Sequence, residues 1–102
     1  MNRVRKLNDQ FRTTMSGGRV LVTPGVAALP PDLQVMAVRK VATFDAFTDD
    51  NDPHGEHDFG AFELAGRRLF WKIDLYEDPD VNSADGTPVV GRVLTIMLAD
   101  EY

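Results

Sequence analysis

Apolar side chains recur every three or four residues in two stretches of the chain, which is the spacing of one helix face. In residues 3–15 the apolar positions are Val4, Leu7, Phe11 and Met15, and the charged positions left for solvent are Arg3, Arg5, Lys6, Asp9 and Arg12. The second stretch opens with Pro30-Pro31-Asp32, which suits a first helical turn, and its apolar positions extend to Phe44. The pattern therefore predicts one helix over residues 3–15 and a second from residue 30.

β-Branched and aromatic residues dominate four other segments, which predicts strands. The segments are residues 19–23, 58–63, 67–76 and 89–98. Residues 19–23 are short and do not alternate, so an edge strand and an extended loop are both open. Residues 89–98 are the most apolar segment, and we expect them to lie centrally in the sheet.

Residues 58–63 and 67–76 predict a β-hairpin around Leu64-Ala65-Gly66. A two-residue turn would require positive φ at Ala65, where the Cβ disfavours it. A three-residue loop with Gly66 in the left-handed region avoids that conformation, and we expect this second geometry.

The three-residue loop decides which side chains share a face, because side chains alternate along a strand. It pairs Phe59 with Trp71, and it sets the opposite charges of Asp58 and Lys72 across from each other. One face of the hairpin then carries Phe59, Ala61, Leu69, Trp71, Ile73 and Leu75. The other face carries Phe62, Phe70 and Tyr76, which are either covered by another part of the chain or exposed as an aromatic binding surface.

The remaining segment, residues 77–88, is rich in Asp, Asn, Gly and Pro and predicts a long acidic loop. Together the elements predict an α+β fold, with two helices packed on a mainly antiparallel sheet of three or four strands. A length of 102 residues is within the range of one domain, so we expect residues 1–102 to form a single domain.

Composition narrows the classes of function. The net charge of −5 argues against general affinity for nucleic-acid backbones, which requires clustered Lys and Arg. The absence of cysteine excludes thiol catalysis, disulfides and zinc sites built from Cys. The polar, basic start has no apolar run behind it, and no stretch approaches the ~20 apolar residues of a membrane span. We expect a cytoplasmic bacterial protein without membrane or direct nucleic-acid contacts.

Candidate chemistry concentrates in residues 49–58, which hold both histidines and which we call the polar stretch. His54 and His57 stand beside Glu56 and Asp58, and imidazole with carboxylate is a ligand set for zinc, manganese or ferrous iron. However, the two histidines are three residues apart rather than the four of H-E-x-x-H, and Pro53 and Gly55 argue against a helix here. The chain also has no third histidine. We therefore expect no cofactor, and a divalent-metal site at these four residues is the alternative.

The polar stretch also has a structural and a partner-binding interpretation. Asp and Asn side chains close turns by bonding to nearby backbone groups. Functional groups also concentrate on loops held by rigid elements. The candidate binding residues in the stretch and on the adjoining hairpin are Asp52, His54, Glu56, His57, Asp58, Trp71 and Lys72.

Four segments carry a family resemblance: Leu7–Arg12, Phe44–Gly60, Phe70–Asp74 and Arg92–Tyr102. They resemble a family of small alphaproteobacterial proteins catalogued as a domain of unknown function, whose members are common on plasmids and other mobile elements. The resemblance brings no catalytic residues. It implies an accessory protein in mobile-element biology.

We therefore expect a non-enzymatic binding or accessory protein that acts through an unidentified protein partner. One alternative is a metal-dependent enzyme that uses the cluster at residues 54–58. Another is an acidic mimic of nucleic acid that inhibits a DNA-binding protein, which requires the carboxylates of residues 49–58 and 77–85 to form one surface. The sequence assigns no oligomeric state.

Overall fold

A computed structural model describes residues 2–82 and 88–102. The described residues form three α-helices, four strands and a terminal 3-10 turn. The helices are α1 (Arg3–Thr14), α2 (Pro24–Ala27) and α3 (Pro31–Ala42), and the 3-10 turn is Ala99–Glu101. The strands are β1 (Arg19–Val22), β2 (Phe59–Leu64), β3 (Arg67–Asn82) and β4 (Pro88–Leu98).

The strands form one sheet in the order β1-β4-β3-β2. β1 runs parallel to β4, and the other two pairings are antiparallel. The predicted α+β fold and its mainly antiparallel sheet are confirmed, and β4 lies centrally as expected for the most apolar segment. Residues 19–22 form the edge strand rather than an extended loop.

Local sequence explains where the two long helices begin and end. The Asn2 side chain accepts the backbone N–H of Arg5 at 3.0 Å and caps α1, and Met15 ends that helix in the left-handed region at φ 55°. Helix α3 has Pro31 and Asp32 in its first turn and basic residues in its last turn, which suits the helix dipole. The short helix α2 was not predicted, because its four residues are too few to show a helical period.

The core lies between the helices and one face of the sheet. From the sheet it receives Leu64, Leu69, Trp71, Ile73, Leu94 and Ile96, and from the helices Phe11, Val26, Ala37 and Val41. The sheet residues alternate along their strands, so all of them point to the same side. The opposite face of the sheet, which we call the open face, has no helix over it in the part of the chain that the structure describes.

The predicted hairpin register is wrong. Leu64 pairs with Arg67, and Ala65 and Gly66 form a two-residue turn with φ values of 51° and 77°. Positive φ at an alanine costs about 1–2 kcal/mol. Full burial of a leucine contributes about 1.5–3 kcal/mol, and the two-residue turn leaves Leu64 only 4% exposed. Burial of the side chain therefore outweighs the backbone strain.

The corrected register moves several side chains to the other face. Phe62 lies opposite Leu69 on the helix side and is half-buried, whereas Phe59 and Ala61 lie on the open face with Phe70. Leu75 keeps its predicted side but is 46% exposed. The predicted ion pair of Asp58 with Lys72 is also wrong.

Residues 77–82 continue β3 and do not form the predicted loop. They extend the antiparallel pairing with β4, with a register shift between Asp78 and Asn82. Residues 83–87 of the predicted acidic loop lie outside the described residues. Among the described helices, none has the length and apolar character needed to cross a bilayer.

Candidate functional site

The polar stretch begins with a turn closed by side chains. The Asn51 carboxamide oxygen accepts the Thr48 backbone N–H at 2.8 Å, and the Thr48 hydroxyl oxygen accepts the Asn51 N–H at 3.2 Å. Asn51 also donates from its amide nitrogen to the Ala46 carbonyl at 3.0 Å. These bonds satisfy backbone groups locally, as Asx turns do.

Asp52 organises the rest of the stretch from a buried position. One carboxylate oxygen accepts the backbone N–H groups of Glu56 and His57, both at 3.2 Å. Its own carbonyl accepts the N–H of Gly55 at 3.0 Å. The chain thus curls around the Asp52 carboxylate, and His57 adopts the left-handed conformation at φ 53°.

His57 is held on three sides. Its ring stacks on Phe47 with 3.7 Å between centroids and 3° between planes. Nδ1 lies 2.9 Å from an Asp9 carboxylate oxygen, and Nε2 lies 3.6 Å from Asp52. Both ring nitrogens therefore face carboxylates of the protein itself.

Asp9 connects this histidine to Arg12, whose side chain is only 4% exposed. The Arg12 guanidinium donates to Asp9 at 3.0 Å and to the carbonyls of Val41 and Phe44 at 2.7 and 2.9 Å. The carbonyls of a helix C-terminus lack partners within the helix. Arg12 therefore caps α3 from the side and joins it to α1, and Asp9 links Arg12 to His57 of the polar stretch.

Four further hydrogen bonds tie α1 and its cap residue to the polar stretch and to β4. Asn8 donates to the Glu56 carbonyl at 3.0 Å and accepts from Arg92 Nε at 2.9 Å. Asn2 donates to the carbonyls of His54 and Gly55 at 3.2 and 3.1 Å. Burial lowers the pKa of Arg92 below its ordinary value. The polar stretch is thus bonded along most of its length to structured elements.

The sequence-predicted site residues separate into different environments. His57 and Asp52 meet, but His54 is exposed and contacts α1 only through its backbone carbonyl. Asp58 accepts the Ile73 N–H through its carbonyl at 2.8 Å, and Lys72 pairs with Asp74 at 3.1 Å. Trp71 lies in the core with no exposed surface, so it cannot touch a partner in this conformation.

Within residues 2–82 and 88–102, no three His, Asp or Glu side chains are grouped so that they could hold a metal ion. The carboxylates needed for a nucleic-acid mimic lie partly outside these residues, because Asp85 is not among them.

Sequence reasoning missed the contributions of Asp9, Arg12 and Phe47. Asp9 and Arg12 were assigned to the solvent face of α1, yet Arg12 is 3% exposed. A signal was present, because Asn8, Phe11 and Arg12 follow helical spacing and are the buried positions of α1. Two of those three positions hold polar residues, so the buried face of α1 could not be recognised from hydrophobicity.

A second candidate site lies on the open face. The rings of Phe59, Phe70 and Tyr102 pack together there, with centroids 5.3 Å apart for Phe59 and Phe70 and 5.8 and 5.5 Å from each to Tyr102. We call these three residues the aromatic cluster. Tyr102 is 75% exposed, and the Arg68 guanidinium lies 5.7 Å from the Phe70 ring centre. No motif marks this cluster, because Tyr102 is distant in sequence from the two hairpin residues Phe59 and Phe70.

The comparison with protein families matches residues 22–101 to DUF3768, described as a protein of unknown function. The chain belongs to DUF3768. This membership confirms the resemblance to a domain of unknown function. The range that matches DUF3768 contains Asp52, His57, Phe59 and Phe70 but not α1, so Asp9 and Arg12 lie outside it. No curated protein and no solved structure matched the chain.

Proposed function

We propose that this protein is a non-enzymatic binding protein that docks a protein partner on the open face of its sheet. The observation that carries the proposal is the aromatic cluster, in which Tyr102 is 75% exposed. The core and the described helices lie on the opposite side of the sheet. A partner could therefore reach the cluster without a rearrangement of the fold.

The aromatic cluster has the composition of a binding hot spot, the small group of residues that contributes most of the binding free energy in an interface. Aromatic and Arg side chains supply most residues whose truncation weakens protein complexes strongly. Burial of about 100 Å² of exposed aromatic surface contributes roughly 2–3 kcal/mol. Phe59 and Phe70 contact the Tyr102 ring, and these contacts reduce the side-chain entropy that is lost when a partner binds.

Two arginines indicate the chemistry of the partner. Among the described residues, no carboxylate oxygen lies within 4.0 Å of a side-chain nitrogen of Arg67 or Arg68. Together with Leu98, Ala99 and Asp100 they line a depression of about 340 Å³ beside the cluster. This surface fits an apolar side chain with a neighbouring carboxylate. The resemblance to plasmid-encoded proteins favours a host protein as the partner.

The state of His57 favours binding over catalysis. A general base must reach the proton that it abstracts from a substrate. Nδ1 of His57 lies 2.9 Å from Asp9, and Nε2 faces the buried Asp52 at 3.6 Å. The His57 ring therefore connects α1 to the polar stretch through contacts inside the fold.

Site-specific photo-crosslinking in the cells that carry the gene would test the proposal. The crosslinking amino acid p-benzoylphenylalanine replaces Tyr102 in one variant and Val35 in a matched control. Val35 is 60% exposed on α3, on the helix side. We expect a protein adduct from position 102 and none from position 35. The exposed substitution Arg68→Glu should reduce the adduct at least about fivefold, because it reverses the charge beside the cluster.

Three results would overturn the proposal. They are no adduct from position 102, equal adducts from both positions, and an adduct that Arg68→Glu leaves unchanged. An adduct with nucleic acid or with a second copy of the chain would also contradict it, since the proposal names a different protein.

A further inference from the structure

A groove on the helix side of the sheet has no assigned role. It lies between the corner that joins α2 to α3 and the turn of the β2–β3 hairpin, and its volume is about 410 Å³. Its lining includes Leu29, Leu33, Leu64, Ala65 and Arg67, and we call it the hairpin groove. We propose that the hairpin groove binds the C-terminal residue of a peptide, through an apolar side chain and the terminal carboxylate.

The wall of the groove favours an apolar group. Leu64 is buried beneath it, and Leu29 and Leu33 are half-buried along it. Gln34 donates to the carbonyl of Leu29 at 2.8 Å and to that of Ala27 at 3.1 Å. The Pro30 carbonyl accepts the N–H of Leu33 at 3.0 Å. Because these carbonyls already have donors, the wall offers few groups that would prefer water to an apolar side chain.

Arg67 adds a positive charge to this otherwise apolar groove. It pairs with Leu64 across the hairpin, so its side chain starts on the helix side of the sheet, where it lines the groove. No described carboxylate oxygen lies within 4.0 Å of its side-chain nitrogens. A guanidinium binds a carboxylate with two parallel hydrogen bonds. An apolar wall with one cation at its end thus fits a ligand that has both parts.

Glu101 gives the ligand its direction. Its carboxylate accepts the N–H of Gly25, one of the residues that line the groove, at 2.9 Å. It also accepts the Thr23 hydroxyl at 2.6 Å and the Leu98 N–H at 3.0 Å. A second anion is therefore unfavourable beside Gly25. The ligand carboxylate would therefore lie at Arg67, with its side chain against Leu29 and Leu33.

A volume of 410 Å³ lies within the ~300–1,000 Å³ range of ligand pockets and accommodates one residue better than a long segment. Free apolar acids share this chemistry, and they differ from a peptide C-terminus in lacking a backbone amide. Recognition of chain termini by a backbone and side-chain pocket is a recurring mode of peptide binding. This inference does not require the aromatic cluster, but Arg67 lines both the groove and the depression beside that cluster.

Methyl-detected NMR with small probes tests the inference. The probes are N-acetyl-L-leucine, which mimics a C-terminal leucine, N-acetyl-L-leucinamide, which lacks the carboxylate, and 4-methylpentanoate, which lacks the amide. We expect N-acetyl-L-leucine to shift the methyl signals of Leu29, Leu33 and Leu64. Loss of the carboxylate should weaken binding about tenfold, the effect of one charge-assisted contact.

Two exposed arginines provide the variant and its control. Arg67→Gln should remove the difference between N-acetyl-L-leucine and its amide, whereas Arg39→Gln on α3 should preserve it. Absence of shifts at about 10 mM probe would overturn the inference, because even weak sites respond there. Equal binding of acid and amide would also refute it. If 4-methylpentanoate bound more tightly than N-acetyl-L-leucine, the groove would be a site for free acids, and the proposal of a peptide ligand would be refuted.

Discussion

The buried guanidinium of Arg12 gives the sharpest test of how the polar stretch is held. We consider the substitution Arg12→Met, which keeps an unbranched apolar stem and removes the charge. The wild-type guanidinium donates to Val41 and Phe44 at 2.7 and 2.9 Å and to Asp9 at 3.0 Å. It also lies 5.2 Å from the Trp71 ring centre. The substitution removes all of these contacts together.

The expected loss of stability follows from these contacts. Hydrogen bonds to charged groups contribute about 1.5–3 kcal/mol each. Val41 retains another donor, the N–H of Thr43. The carbonyls of Phe44 and Ala42, which accept from Arg12 at 2.9 and 3.4 Å, lose that donor. The Asp9 side chain is 35% exposed, which reduces the value of that pair. We expect Arg12→Met to lower the free energy of unfolding by about 3 kcal/mol, within the range for broken buried pairs.

Urea unfolding followed by circular dichroism measures this change, with the m-value as a check on two-state behaviour. The melting temperature should fall by roughly 12–24 °C. Arg39→Met, at an exposed position in the last turn of α3, is the matched control and should change stability by less than about 0.5 kcal/mol. If Arg12→Met destabilised the protein no more than Arg39→Met, the proposed role of Arg12 as the cap of α3 would be refuted.

Two further predictions concern the sheet and the C-terminal turn. Gly60→Ala should lower the free energy of unfolding by about 1–3 kcal/mol in urea titrations, because its Cβ would overlap Trp71 Nε1, and an unchanged midpoint would contradict this packing. The Thr23 hydroxyl, followed by the backbone N–H groups of Leu98 and Gly25, lowers the pKa of Glu101. The stabilisation from Glu101 is therefore present above the ordinary glutamate value of about 4.3 and is lost as the pH falls through the lower folded pKa. In thermal melts at decreasing pH, the Glu101→Gln variant should therefore lose less stability than the wild type. The Asp100→Asn variant should lose as much as the wild type.

The fold was largely predictable because its long elements carry strong periodic patterns. Residues 3–15 were predicted as a helix and α1 spans Arg3–Thr14, and α3 begins at Pro31, one residue after the predicted start. The hairpin was also recognisable. Its register, however, depended on whether the burial of Leu64 outweighs the strain of positive φ at Ala65. A local preference against positive φ is visible in sequence. The burial gained by Leu64 depends on where α2 and α3 lie, and that information is not local.

The contacts of the polar stretch were hidden for a related reason. His57 meets Asp9 across 48 residues of sequence, and Arg12 meets Val41 across 29. The composition of residues 49–58 indicated polarity but could not say which groups pair. The structure brings His57 to Asp52 and leaves His54 on the surface. A concentration of titratable residues in sequence is therefore consistent with a buried structural network as well as with a catalytic centre.

The contrast between the two candidate sites leads to the functional conclusion. The polar stretch attracts attention in the sequence, yet its Asp52 and His57 side chains and several of its carbonyls are bonded inside the fold. The aromatic cluster has no sequence signature, because Phe59, Phe70 and Tyr102 meet only when β2, β3 and the terminal turn assemble. Contact of an aromatic surface with water is unfavourable, and a partner that covers the surface removes that contact. The open face is therefore the surface that we propose for a partner, whereas the polar stretch is bonded to Asn2 and Asn8 and leads into β2.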